Sequence, residues 1–380
     1  MKRRFAALFA AAALLAGLIG CGTDPNAPRY AFVADSSGVE EGINAAIWGV
    51  IEAQAEPNEY NTASFCPEED TEEALTAVFT EAVKSRARLV LAFGEQMETP
   101  VFSAAQEHKK TKFVLVGGEP RQEAGGEVSI GENVLAVDLA YEQEGFAAGY
   151  ASVKNGFRSL AVMAGEKNER NIRLINGFVQ GAAAAASELG LEEGTVFIKA
   201  EYTGSDKLSP LRMSEALDFY GEGVESIFTT SGGIGTAVAR AAEIEQKTFF
   251  TAGENLTEEE PSCLMSFYTQ FENAFIPAIE LFESKEGLPG GTMLQYGLKE
   301  ECFAAAVDYS RFSSFTEADY QTLVEKLSNG DYVTDKEAES SGAVVYEELS
   351  SGRASSGGAS SGVSSFEESS SEESEADNKV

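Results

Sequence analysis

The chain has 380 residues, of which 62 are acidic and 28 basic, giving a formal net charge of −34 with one histidine and four cysteines. Such a carboxylate excess excludes a protein that works by neutralising nucleic-acid phosphates, and it equally disfavours attraction to anionic lipid headgroups. With a lone histidine and no CxxC pair, no metal-site spacing, P-loop or nucleophile–base constellation argues for an enzyme or a bound cofactor; a carboxylate-only hydrolase stays open because carboxylate pairs are plentiful.

Lys2, Arg3 and Arg4 precede an apolar run over 5–19 that is interrupted only by Gly17. The run is too short to span a bilayer comfortably. Leu18-Ile19-Gly20-Cys21 resembles the lipobox of bacterial lipoproteins. The resemblance implies a signal peptide over 1–20, lipid attachment at Cys21 and a tether over 21–28. The mature chain is then expected outside the cytoplasm, anchored to the bacterial cell membrane by that lipid. Cys66, Cys263 and Cys302 remain; a Cys263–Cys302 disulfide and buried reduced thiols are both open readings.

From residue 29 the pattern alternates strand and helix. An apolar run over 30–35 ends on Asp35, and a helix over 40–55 carries Ile43, Ile47, Val50 and Ile51 on one face at period 3.6. Strands are predicted over 89–93 and 112–116, the latter closed by Gly117-Gly118, with a helix over 97–108 between them. The scheme repeats with strands over 134–137, 159–164, 196–202, 226–230 and 248–252. Helices are predicted over 142–153, 171–189, 209–220 and 234–245. Continuous apolar runs are what a parallel sheet covered on both faces requires. The expected class is therefore α/β, two lobes each with a mainly parallel sheet flanked by helices, and a ligand at the carboxyl ends of the strands. Residues 29–137 with 272–290 are assigned to the first lobe and 138–271 with 291–334 to the second, with hinges near 137–140 and 267–270. The Ser/Gly/Glu-rich stretch over 335–380 has too little apolar surface to order and reads as a disordered tail. Its GxSxG match at 358–362 lacks the strand and helix that a nucleophile elbow needs.

Several segments together carry a family resemblance. They are Val33 to Gly38 followed by Asn44 and Trp48; Tyr141 to Tyr150; Arg173-Leu174-Ile175-Asn176-Gly177-Phe178; Gly232-Gly233-Ile234-Gly235; and Gly290-Gly291-Thr292 leading to Gly297-Leu298-Lys299. In order and spacing they resemble the basic membrane protein family of ABC-transporter substrate-binding lipoproteins, which includes purine-nucleoside receptors. The resemblance implies a type I periplasmic-binding-protein-like fold, a nucleoside-like ligand in the cleft and an ABC permease as partner. It also exposes departures. Gly117 and Gly253-Glu254-Asn255 stand where the family places acids, Ile43 replaces a helix-opening Phe, and Thr269 stands where a lysine is expected.

Candidate ligand-binding residues follow from strand ends and helix openings. Asp35 either caps the following turn or touches ligand. Asn44 can bond a heterocycle edge or face solvent, and Trp48 can stack on a flat ligand or pack in the core. Phe93, Gly94 and Glu95 end a strand where glycine allows close approach. Gly232 and Gly233 open a helix whose free N–H groups suit a ligand oxygen. Glu119, Glu254 and Asn255 are the substitutes for the missing acids. The expected function is a solute-binding lipoprotein of an ABC importer; the alternative is a surface lipoprotein with a degraded site that acts through protein contacts.

Overall fold

The computed structural model describes residues 26–336 and 342–349. The first sheet is laid down by β1 (Tyr30–Val33), β2 (Thr62–Phe65), β3 (Leu89–Phe93), β4 (Lys112–Val116) and β5 (Val134–Leu139). Between them run α1 (Gly42–Ala55), α2 (Glu72–Lys84) and α3 (Glu98–Glu107). The chain then crosses to α4 (Tyr141–Lys154), β6 (Ser159–Ala164), α5 (Glu169–Glu188), β7 (Val196–Tyr202), α6 (Pro210–Gly221), β8 (Ser226–Thr229), α7 (Gly232–Glu245), β9 (Thr248–Ala252) and β10 (Cys263–Thr269). It returns for α8 (Phe271–Glu283) and β11 (Thr292–Tyr296), and crosses again to β12 (Phe303–Val307), α9 (Glu317–Asn329) and β13 (Val344–Leu349).

The strand orders are β11-β5-β4-β3-β1-β2 and β12-β10-β9-β8-β6-β7-β13, parallel except where β12 meets β10. Every residue of β1 and β5 is buried, as a sheet covered on both faces demands. This is the expected α/β class. On α1 the buried face is Asn44, Ile47, Val50 and Ile51, whereas Ile43 in the first turn is 52% exposed. Arg29 and the Tyr30 hydroxyl both bond Glu283, at 2.6 and 2.9 Å, and so hold the end of α8 to β1.

Glycines bring α4 and α5 together. A Cβ on Gly145 or Gly149 would collide with the carbonyl of Leu174 or Phe178, and one on Gly177 or Gly181 with that of Glu142 or Phe146. Glycine costs a helix about 1 kcal/mol relative to alanine, but here it lets two backbones touch. Phe178 on α5 then stacks on Phe228 of β8, with ring centroids 5.2 Å apart.

Two assignments from the sequence are corrected. Residues from 291 were given to the second lobe, yet Thr292–Tyr296 pairs with β5 in the first sheet, Thr292 opposite Leu135. A third crossover, 297–302, therefore joins the two expected ones. The three are tied together: Ala140 N–H donates to Tyr296 at 2.8 Å, Gln270 N–H to Cys302 at 2.8 Å, and Leu298 N–H to the Gln143 side chain at 2.8 Å. The composition of 335–380 predicts disorder throughout, but β13 lies parallel to β7 with Val344 opposite Val196 and buried. The short apolar run Ala343-Val344-Val345-Tyr346 is enough to dress a sheet edge, and averaging over an acidic tail hides it. Cys21 and the GxSxG match at 358–362 lie outside the described residues. Cys263 and Cys302 are buried free thiols and Cys66 is an exposed one; burial, helped by Glu300, pushes the Cys302 thiol up to about 12.

Candidate functional site

The carboxyl ends of both sheets converge on an ionic cluster. From the first sheet, β3 runs into Gly94, whose φ of 99° turns the chain and delivers Glu95. β4 runs into Gly117, at φ 71°, and then Glu119. β5 contributes Asp138 just before the first crossover, and Tyr141 opens α4. From the second sheet, α5 begins at Glu169 behind its cap Asn168, whose side chain accepts the Asn171 N–H at 2.9 Å.

Glu95 reaches from one sheet's elements to the other's. Its carboxylate accepts the backbone N–H groups of Arg170 at 2.6 Å and Glu169 at 3.2 Å, in the first turn of α5. Those N–H groups have no partner within the helix, and the positive end of the helix dipole favours an anion there. Arg121 adds a second span: it pairs with Glu98 at 2.8 Å and Glu119 at 3.0 Å, and reaches Glu169 at 3.4 Å. Deeper in, Arg173 is 4% exposed and bridges Asp138 and Glu142, both at 2.6 Å. Arg170 donates to the Thr230 carbonyl at 2.7 Å with its guanidinium 5.2 Å from the Tyr141 ring centroid. Finally Lys336 enters from the far end of the body, 2.7 Å from Glu119 and 2.9 Å from Asp138.

Charges are held unevenly. Burial pushes Glu98 up to about 7, against the pull of the Glu119 N–H and Arg121, with Glu169 and Glu95 adding repulsion. Burial also raises Glu169, with Glu119 reinforcing it. Burial alone would lower the Lys336 ammonium, yet its bond to Glu119 leaves it above the ordinary lysine value. The cavity enclosed by Gly117, Tyr141, Arg170 and Arg173 measures about 10 Å³, space for roughly one water. Beside it a groove of about 550 Å³ opens past Glu95, Glu98, Arg121 and Glu169 toward Asp70 and Lys167.

Of the residues singled out in the sequence, Glu95 and Glu119 stand in this cluster and Gly94 makes the turn that places one of them. Phe93 packs edge-on against Phe271, centroids 5.4 Å apart. Asp35 receives the Ser37 N–H at 3.0 Å and the Asn44 amide at 2.9 Å, so both side chains of that pair are engaged in the turn before α1. Trp48 is half-buried against the core. Gly232 and Gly233 open α7, where Glu254 folds so closely over Gly232 that a Cβ would strike its carboxylate. Asn255 is exposed and accepts the Thr257 N–H at 3.2 Å. The glycine at 117 has a physical reason. Its backbone is left-handed, and a Cβ would sit 3.1 Å from Phe93 and 3.3 Å from the Tyr141 hydroxyl, so an acid there would strain the backbone and press on both side chains.

Sequence reasoning missed Glu98, Arg121, Asp138, Glu142, Glu169, Arg170, Arg173 and Lys336. Asp138 carried the signal used for Asp35, a carboxylate closing an apolar strand. Glu142 and Arg173 lie inside segments whose family resemblance marks the fold and not the site. Lys336 carried no signal.

A family profile described as ABC transporter substrate-binding protein PnrA-like, Bmp, matches residues 28–329. The chain is 22% identical over 330 residues to the ABC transporter nucleoside-binding protein BmpA of Lactococcus lactis subsp. cremoris, covering 79% of this chain and 90% of that one. It is 21% identical over 242 residues to Basic membrane protein D of Borreliella burgdorferi, covering 61% and 65%. In fold it is similar to an ABC transporter solute-binding protein of Aeropyrum pernix K1, with a TM-score of 0.63 at 16% identity over 82% of this chain and 94% of that one. Another from Conexibacter woesei gives a TM-score of 0.60 at 14% identity over 82% and 99%. Two mainly parallel sheets linked by three crossovers, with a charged cleft at their carboxyl ends, agree with these matches, and the chain belongs to the Bmp family of PnrA-like ABC transporter substrate-binding proteins.

Proposed function

We propose that the chain is the solute receptor of an ABC importer, held outside the cytoplasm by a lipid on Cys21, and that it captures a small polar or heterocyclic solute in the cleft. The contact of Glu95 with the first turn of α5 carries this reading. It joins elements of the two sheets by hydrogen bonds alone, so hinge rotation at the crossovers can open it and a solute oxygen can take over the same N–H groups. The named nucleoside binder among the relatives supports a heterocyclic solute. Against an unmodified nucleoside site stand Gly117, where an acid would be strained and crowded, Gly253 and Thr269. Each unpaired polar atom costs roughly 1–3 kcal/mol, so two losses weaken binding by about 30-fold to about 20,000-fold.

Calorimetry of the delipidated protein with adenosine, guanosine and inosine is therefore expected to show weak or no binding, while a thermal-shift screen of small polar solutes finds one that raises the melting temperature. Submicromolar nucleoside binding that survives Glu119→Ala and Glu254→Ala would sink the ligand argument. The small cavity beside Gly117, Tyr141, Arg170 and Arg173, with space for about one water, favours a second reading, a degraded site kept for protein contacts; a screen in which no solute stabilises the protein would select it. Anchoring is tested separately: Cys21→Ala should leave unprocessed or soluble protein, and an unchanged membrane fraction refutes the lipid.

A further inference from the structure

Lys336 lies 217 residues from Glu119 in sequence, yet its ammonium sits between Glu119 and Asp138. The chain after α9 is led there along α5. Tyr332 packs on Phe146 with centroids 5.1 Å apart and bonds Glu188 near the carboxyl end of α5. Two turns back, Gln180 exchanges bonds with the Asp335 backbone, donating at 2.7 Å and accepting at 3.0 Å. One turn further, Asn176 donates to the Lys336 carbonyl at 2.6 Å. The strap thus climbs a helix of the second sheet toward the cleft and sends one side chain across to the first.

The two carboxylates divide their oxygens. Glu119 gives Oε2 to Arg121 at 3.0 Å and Oε1 to Lys336 at 2.7 Å. Asp138 gives Oδ1 to Arg173 at 2.6 Å and Oδ2 to Lys336 at 2.9 Å, with Gln295 at 3.3 Å and the second Arg173 amino group at 3.5 Å also donating to Oδ2. In each, one oxygen takes the shorter bond from an arginine of the folded body, and the other makes its shortest contact at one shared point, the Lys336 ammonium. Asp138 is only 3% exposed, so water cannot readily replace the cation at that point, and an ammonium with its three donors fits where a neutral group does not. Arg173 is buried on α5, and Arg121 is held further by Glu98 and by the carbonyls of Glu119 and Gly126; the Lys336 side chain is 32% exposed and bonded through the two carboxylates.

We propose that Glu119 and Asp138 form an ammonium subsite of the cleft, filled in this chain by its own Lys336, and that the solute taken up carries a cationic amine that displaces it. The proposal rests on the receptor reading above. A tethered ammonium competes as an intramolecular ligand. If it vacates the subsite in one molecule in ten, an external amine binds about tenfold more weakly than its intrinsic affinity allows.

The test uses the full mature chain as wild type, Lys336→Ala and Lys336→Ala/Glu119→Gln, with n-butylammonium as probe because it reproduces the side chain removed. Lys336→Ala should melt below wild type. The probe should raise that melting temperature, n-butanol should not, and wild type should bind the probe at least about tenfold more weakly. Adding Glu119→Gln should abolish the response; Lys336→Gln replaces the alanine variant if the latter does not fold. An equal response in wild type and Lys336→Ala, or one that survives Glu119→Gln, overturns the subsite. A neutral solute bound equally by wild type and Lys336→Ala overturns the ligand class and leaves the receptor reading intact. A solute screen that stabilises neither protein removes the receptor reading, and the ligand class with it.

Discussion

Glu144 on α4 is 1% exposed, and neither of its carboxylate oxygens has a hydrogen-bond partner. Burial pushes its pKa up from 4.5 to about 7, and the pull of Arg170 offsets only part of that. A carboxyl raised in the folded state binds its proton more tightly there than in the unfolded chain. Its contribution to stability is complete below pH 4.5 and is lost as pH rises toward about 7. At roughly 1.4 kcal/mol per pH unit this amounts to about 3 kcal/mol. Glutamine has nearly the same shape and does not titrate. Urea unfolding of wild type and Glu144→Gln at pH 4 and at pH 8 isolates the effect, because every other titrating group is common to both proteins. The stability difference between them should move by about 3 kcal/mol in favour of the glutamine variant at pH 8. A difference that stays constant across that range would refute the reasoning, since it would mean that Glu144 is solvated or paired.

Arg173→Met leaves Asp138 and Glu142 as buried carboxylates without their shared cation, and denaturant unfolding should show a loss of about 3–5 kcal/mol. Gly177→Ala should destabilise by about 1–3 kcal/mol despite alanine's better helix propensity, because the added methyl meets the Glu142 carbonyl; a stabilised variant would mean that α4 and α5 stand further apart. Truncation after residue 336 strips β13 from the edge of β7 and uncovers Val196, and calorimetry should record a lower melting temperature by the equivalent of about 1–3 kcal/mol. Truncation after residue 350 should leave the melting temperature where it is, because the stretch it removes has too few apolar residues to build a core.

Much of this architecture is written locally. Strands β1 and β3 are continuous apolar runs, β4 and β5 are apolar but for Lys112 and Asp138, and the turns after β3, β4 and β9 are marked by Gly94, Gly117 and Gly253, all with positive φ. Those signals suffice for an α/β chain and mark Glu95 at a strand end, whereas Glu119 is reached only through the family resemblance, as a substitute for a missing acid. The cleft's chemistry is not local. Asp138, Glu142 and Arg173 meet only because α4 and α5 cross at glycines 145, 149, 177 and 181, and each of those glycines by itself reads as a poor helix residue. β11 joins the first sheet because β5 offers it a free edge, and no feature within Thr292–Tyr296 says which sheet it will meet. The same holds for β13, whose few apolar residues matter because β7 has an edge to cover. Lys336 is the extreme case: an unremarkable lysine at the start of an acidic tail joins the cations of the cleft. Periodicity and turn chemistry act over a few residues and can be read in order along the chain. Which charges compensate one another depends on contacts across hundreds of residues, and only the folded arrangement of the two sheets brings those partners within reach.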